Sequence, residues 1–375
     1  MNPLAHRIPL VLPPVEFGTG ALASLAAFAR ERGARRPMVV ADAFNAQRVD
    51  LLGLPGEVIL FGEVVPEPDV PNLDKALAMA REAKPDLIVG FGGGSAMDVA
   101  KLVAVLTLGS QTVHEVVGPD KVLGPRLPLV QVPTTAGTGS EVGMRALVSD
   151  PATRNKLAVQ SRLMLADLAI VDPALTMSVP ASPTAAAGID AMTHCVEALT
   201  NRKAHPAIDL YALEGIRLVG QHLPAAVRDG SDAQARAGLA LAALYGGICL
   251  GPVNTTAGHA VAYPLGTRHH IAHGLSCAVI FPHTLAFNAP VVPERTQAVL
   301  RAMGLGDDLR EAAIVDRASQ WCAQQGVEMR MSRLGIPEHD LDTMADEAFN
   351  IRRLLDNNPR EISRDQIRAI YQAAF

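Results

Sequence analysis

Asp86-Leu-Ile-Val-Gly-Phe-Gly-Gly-Gly-Ser-Ala-Met-Asp98 runs from a short apolar strand, through three consecutive glycines, into a helix over Ala96 to Leu106. Glycines at such a turn let the backbone approach a diphosphate, and the exposed amides with the helix dipole favour negative charge there. Gly92, Gly93, Gly94 and Ser95 are therefore candidate cofactor contacts. Asp98 joins them from the first helical turn, where a carboxylate is favourable. The spacing is neither the Rossmann G-x-G-x-x-G nor a Walker loop, and a bare strand-to-helix turn is the plain alternative.

The same alternation extends on both sides. Ala21 to Glu31 and Leu73 to Ala83 have helical spacing, while Pro37 to Ala41, Glu57 to Phe61 and Pro128 to Val132 read as buried strands. Strands alternating with helices of this length predict a mainly parallel sheet covered on both faces, with ligands beyond the carboxyl ends of its strands. After Pro183 the strand signals fade. Ala185 to Leu199, Ile208 to Gln221, Ala233 to Cys249, Glu311 to Gly326 and Arg364 to Ala374 carry helical spacing. The expected organisation is a dinucleotide-binding α/β domain over 1–180 and an all-helical domain over 181–375, packed around a cleft.

A second loop, Pro133-Thr-Thr-Ala-Gly-Thr-Gly-Ser-Glu141, follows the strand that ends at Val132. It interleaves hydroxyls with glycine, so Thr134, Thr135, Thr138 and Ser140 become candidate contacts to a polar ligand. Two such loops at strand ends of one sheet describe a dinucleotide site. Asp42, at the end of the strand over Met38 to Ala41, can take the ribose 2′-hydroxyl and repel a 2′-phosphate, which favours NAD over NADP.

Bulk composition narrows the class. The chain has 375 residues, enough for two cores, with 49% hydrophobic and 19% charged residues. A net charge of −5 and 4% aromatic residues give no reason to expect nucleic acid or an anionic membrane as partner. Met1 to Pro14 shows no cleavable apolar leader, and no run of eighteen apolar residues escapes interruption by charge, Gly or Pro, so no span is expected. The four cysteines have no paired spacing and read as reduced thiols of a cytoplasmic protein.

Gly188-Ile-Asp-Ala-Met-Thr-His-Cys-Val-Glu197 places Asp190 and His194 on one helical face in an apolar setting, close enough to share an ion. Five of the eleven histidines then fall between 259 and 283. One carboxylate with several imidazoles suits Fe(II) or, alternatively, Zn(II), and is a poor match for Mg or Ca. Clustering alone does not choose among these histidines.

Taken together, these motifs resemble the iron-containing (group III) alcohol dehydrogenase family. The match includes Phe17-Gly18, Gly92 to Asp98, Pro133 to Glu141, Val171-Asp-Pro173, Gly188 to His194, the histidine cluster and Asn358-Pro-Arg360. The resemblance implies a metal held in the cleft by Asp190, His194 and two histidines fourteen residues apart, which selects His259 and His273. It also implies Lys156 as a cofactor contact. Where the family commonly places a proton-relay histidine, this chain has Tyr263, with His269 and His270 as nearby substitutes. Related enzymes line the substrate site near Arg145, whose guanidinium can hold a carboxylate, sulfonate or phosphonate. The implied activity is nicotinamide-linked oxidation of a small alcohol, or reduction of its aldehyde, with an acid-bearing substrate such as 4-hydroxybutyrate, in a homo-oligomer and most simply a dimer. Alternatives in the same superfamily are hydroxyacid–oxoacid transhydrogenase and maleylacetate reductase. A non-catalytic nucleotide-binding protein is the alternative from another class.

Overall fold

The structure, a computed structural model, describes residues 10–153 and 155–375. The leader reading of Met1 to Pro14 falls largely on residues 1–9, outside the described residues. The chain forms two compact units. One comprises Val11–Thr135 and Gly139–Thr176, the other Ala136–Thr138 and Met177–Phe375.

Among the described residues the first unit has nine strands, β1 (Val15–Phe17), β2 (Pro37–Ala41), β3 (Ile59–Phe61), β4 (Leu87–Gly92), β5 (Gly118–Pro119), β6 (Leu129–Pro133), β7 (Arg145–Asp150), β8 (Asn155–Gln160) and β9 (Leu168–Val171). Its helices are α1 (Ala23–Glu31), α2 (Ala43–Ala46), α3 (Val70–Ala83) and α4 (Gly94–Leu106). Six strands form a wholly parallel sheet in the order β1-β9-β6-β4-β2-β3. Successive side chains on a strand point to opposite faces, so a strand covered on both sides reads as a continuous apolar run. Met38, Val40 and Ile88 pack with Leu73 and Leu77 of α3 on one face, while Val39, Ala41, Val89 and Phe91 pack with Leu25 and Ala29 of α1 on the other. The strand expected over Glu57 to Phe61 starts two residues later, at Ile59.

A separate three-stranded sheet, β5-β8-β7, was not expected. Its hairpin pairs Arg145 with Gln160 and Asp150 with Asn155, antiparallel. Arg145 therefore lies on a strand, and every second residue of β7 is buried, as a sheet with one covered face requires.

The second unit is helical, with α5 (Ala181–Thr200), α6 (Pro206–Arg228), α7 (Ala233–Val253), α8 (Ala257–His269), α9 (His273–Asn288), α10 (Pro293–Ala302), α11 (Glu311–Gln324), α12 (Leu341–Phe349), α13 (Arg352–Leu355) and α14 (Arg364–Ala374). α14 opens with a capping box, Ser363 and Gln366 each satisfying the other's backbone amide. α7 is long and apolar enough to cross a membrane by length and composition, although Arg236, Gly and Pro interrupt it as the sequence shows, and 67% of its apolar window is buried inside the protein. Such burial is that of a core helix, and the expectation of no span is not contradicted.

Candidate metal centre and dinucleotide site

At the carboxyl end of the large sheet, the chain leaves β2 towards β3 but leaves β4 towards β6. This reversal makes a switch point between the two strands, the place where ligands settle on such sheets. Ala41 pairs with Phe91 and Gly92 with Pro133, so Asp42, the triple glycine and Thr134 share one edge. The Thr134 amide donates to the Gly92 carbonyl at 2.9 Å and prolongs the ladder into both loops. Gly92 has φ 155°, and a Cβ there would lie 2.8 Å from the Ala96 Cβ and 3.0 Å from Asp42 Oδ2. Only glycine fits that position.

Asp42 is more than a strand-end residue. It caps α2, accepting from the Phe44 and Asn45 amides at 3.0 Å and from Asn45 Nδ2 at 2.7 Å. A carboxylate offers about four acceptor positions, so roughly one stays open. Asn45 on α2 also donates to Thr134 Oγ1 at 3.2 Å and ties the cap of α2 to the second loop. Its signal was a short polar side chain one turn after Asp42. Ser140 donates to Asp98 Oδ1 and accepts from the buried Lys101 Nζ, each at 2.6 Å, while the Leu147 amide donates to Asp98 Oδ2. Asp98 and Ser140 thus clamp the second loop to α4 and β7. Lys156 on β8 pairs with Glu67. Arg145 is half-buried, and its Nε donates to Gln160 Oε1 at 2.8 Å.

In the helical unit, Asp190 Oδ1 lies 3.6 Å from His194 Nε2, 3.4 Å from His259 Nε2 and 3.6 Å from His273 Nε2. Ligands about 2.1 Å from a tetrahedral ion stand roughly 3.4 Å apart, so these spacings match the edges of such a shell. Asp190 and His259 are each 2% exposed, yet among the described residues Asp190 Oδ1 and His259 Nε2 have no hydrogen-bond partner. Two buried orphans facing each other are costly unless a cation lies between them. The residues therefore fit a divalent metal. Burial pushes His194 down to about 4 against the pull of Asp190, so it is a neutral imidazole ready to ligate at neutral pH. Burial raises the Asp190 carboxyl, but the imidazoles of His194, His273 and His259 outweigh it and hold it below the usual carboxylate range.

Two further residues were missed in the sequence. Glu197 accepts from the Thr256 amide and hydroxyl and from the His259 amide, at the N-terminus of α8. Its other oxygen bonds His259 Nδ1, which leaves Nε2 directed at Asp190. A Cβ at Gly258 would come within 2.7 Å of Glu197 Oε1, so a side chain there would evict the carboxylate. The second is Cys277. Among the described residues, the metal-competent group whose ligand atoms all lie within 4.8 Å of one another is Asp190, His259, His273 and Cys277. His194 stands outside that group, its ring stacked on His259 at 4.7 Å between centroids. A signal existed for both: Glu197 ends the quoted Asp190 stretch, and Cys277 follows His273 by four residues, as His194 follows Asp190.

Tyr263 is buried beside the cluster, its ring centroid 6.0 Å from that of His273 and 6.5 Å from that of His259. His270 is not brought there. It is exposed at the C-cap of α8, in the left-handed region with φ 57°. His269 instead reaches Asp340 Oδ2 at 3.3 Å.

Comparison with known proteins agrees with both units. Residues 13–173 match the family described as iron-containing alcohol dehydrogenase, and residues 184–375 match the Fe-containing alcohol dehydrogenase family, C-terminal. Long-chain-alcohol dehydrogenase 1 of Geobacillus thermodenitrificans is 37% identical over 382 residues, covering 98% of this chain and 96% of that protein. The solved alcohol dehydrogenase from Oenococcus oeni gives a TM-score of 0.93 at 28% identity, covering 98% of this chain and 100% of that one. Sulfoacetaldehyde reductase from Bifidobacterium kashiwanohense, solved in complex with NAD+, gives 0.88 at 28% identity and covers 99% of both chains. Fold and matches together define a metal-dependent alcohol dehydrogenase, an oxidoreductase. The chain belongs to the iron-containing alcohol dehydrogenase family.

Glu197→Gln is expected to keep the fold and lower metal affinity about ten- to a hundredfold, because the amide is a weaker partner for His259 Nδ1. Competition against a chelator of known affinity measures this. Unchanged affinity would show that the ring is oriented without Glu197.

Proposed function

We propose that the protein interconverts an acid-bearing alcohol and its aldehyde, with NAD as the hydride carrier and a divalent metal held by Asp190, His194, His259 and His273. The observation that carries the reading is the orphaned Asp190 Oδ1 ringed by three imidazole nitrogens at 3.4 to 3.6 Å. A bound ion, Fe(II) or alternatively Zn(II), supplies Lewis-acid polarisation of an alcohol or carbonyl oxygen. Tyr263, buried beside His259 and His273, is the protein group we assign to moving the alcohol proton. His270 receives no role in this reading.

The diphosphate goes to the amides of Gly92, Gly93, Gly94 and Ser95 at the start of α4. Asp42 offers its remaining acceptor position to the ribose and repels a 2′-phosphate, hence NAD rather than NADP. Thr134, Thr135, Thr138 and Lys156 line the cofactor, while Asp98 and Ser140 fix the loop that carries them. A relative solved with NAD+ supports the choice of cofactor. That relative is named for an aldehyde bearing a sulfonate, which supports an acid-bearing substrate here and gives Arg145 its task of holding the acid group. We further infer a homodimer working in the cytoplasm, where four buried cysteines outside any disulfide match a reducing compartment.

Steady-state assays with NAD on 4-hydroxybutyrate and on butanol test the reading. Arg145→Ala should lower kcat/KM for the acid about a hundredfold, the worth of a charge-assisted pair, and leave butanol unchanged. Equal use of both alcohols, unaltered by Arg145→Ala, would sink the substrate assignment.

A further inference from the structure

We propose that Cys277 supplies a sulfur ligand to the same metal ion, so that the site binds thiophilic divalent ions such as Zn(II) and Co(II) through a mixed nitrogen, oxygen and sulfur shell. The inference rests on the metal-site reading above and deepens it. Cys277 follows His273 by four residues on α9, which puts both on one helical face. On α5 the pair Asp190 and His194 has the same spacing. Two helices thus present a ligand pair each, and with His259 on α8 they offer five ligands, one more than a tetrahedral shell takes, so the ion with sulfur bound is five-coordinate.

The spacing of Cys277 and His273 agrees. Cys277 Sγ lies 3.9 Å from His273 Nε2, and the ligand atoms of Asp190, His259, His273 and Cys277 all fall within 4.8 Å of one another. Nitrogen at about 2.1 Å and sulfur at about 2.3 Å from a tetrahedral ion stand roughly 3.6 Å apart. The thiol is 1% exposed and therefore reached by a small ion more easily than by a bulky reagent. Independently of the cysteine, the buried Asp190 Oδ1 and His259 Nε2 lack partners and converge at 3.4 Å, which marks where the ion belongs. On binding, the S–H bond is exchanged for a bond from sulfur to the metal, and the proton leaves to a buffer base with no change in oxidation state. Thiolate favours zinc-like ions over harder ones, so the sulfur biases which metal the protein retains.

The test uses the full-length protein stripped of metal and reloaded with Co(II), without substrate or NAD. An intense near-ultraviolet sulfur-to-cobalt charge-transfer band is expected, and it should vanish in Cys277→Ser and Cys277→Ala. Zn(II) affinity should fall at least about tenfold in both variants, with the smaller Ala filling the buried position if Ser is poorly tolerated. X-ray absorption on the wild-type Zn(II) protein should show a sulfur neighbour at about 2.3 Å and needs no variant. Co(II) bound without the band, or a band that survives in Cys277→Ser, overturns the sulfur ligand and leaves the other ligands standing. If the wild type binds neither Co(II) nor Zn(II), the metal-site reading falls as well.

Discussion

Replacing Asp190 by Asn will abolish metal loading and reduce alcohol turnover by at least about a thousandfold, the scale of losing several kcal/mol of Lewis-acid stabilisation. Asn preserves the shape but removes the anion that the nitrogens of His194, His259 and His273 surround at 3.4 to 3.6 Å. Its amide also turns a donor towards a space built for a cation. Folding should survive, because Asn keeps the volume of Asp190 and Asp190 Oδ1 accepts no hydrogen bond that holds the fold. Loss of the attraction between the carboxylate and its imidazoles is expected to lower the melting point of the variant modestly when neither protein holds metal. Added Zn(II) at a hundred times its Kd should stabilise the wild type by about 2.7 kcal/mol and leave the variant unmoved. Thermal unfolding with and without metal, beside metal analysis, reads both halves. A variant that retains the ion and turns over would remove Asp190 from the site.

Gly92→Ala should do comparable damage at the other site. Its φ of 155° is closed to side chains, and the new methyl would meet the Ala96 Cβ at 2.8 Å and Asp42 Oδ2 at 3.0 Å. Strain of about 1–3 kcal/mol and overpacking of about 1–3 kcal/mol add to a loss of roughly 2–6 kcal/mol. The displaced Asp42 and the shifted start of α4 should also weaken NAD binding at least about tenfold. Gly93→Ala is the control for stability alone, since its amide belongs to the proposed diphosphate site. Its backbone is extended and its Cβ meets only Thr135, at 3.5 Å, so stability should stay within about 0.5 kcal/mol. Urea unfolding and calorimetric NAD titration compare the two. Equal stability of both variants would show that the turn tolerates a side chain at Gly92.

The parallel sheet was legible because β2, β4 and β6 are buried on both faces and leave unbroken apolar runs at Met38 to Ala41 and Leu87 to Val89, and one interrupted only by the buried Gln131 at Leu129 to Val132. β1 and β9 were not, being three and four residues long with no period to detect. The hairpin of β7 and β8 hid behind its own alternation. Arg145, Leu147 and Ser149 face away from the buried side, so the segment reads as a polar loop. α8 and α9 escaped notice because apolar and small residues surround them and each contains a proline, Pro264 and Pro282. A helix covered on all sides has no amphipathic stripe to find. Of the metal site, Asp190 and His194 stood out by helical spacing, whereas His259 and His273 needed the family resemblance. Glu197 stayed hidden because it acts through contacts to another helix, which spacing along its own does not reveal, whereas Cys277 repeats after His273 the four-residue spacing of Asp190 and His194.

Glu197 carries a consequence for the life of the enzyme between metals. Its carboxylate is anchored by Thr256 and His259 across a sequence gap of about sixty residues, with bonds that need no ion. The imidazole it steers is therefore braced from behind by protein groups alone, so the bearing of His259 is expected to survive chelation and reloading.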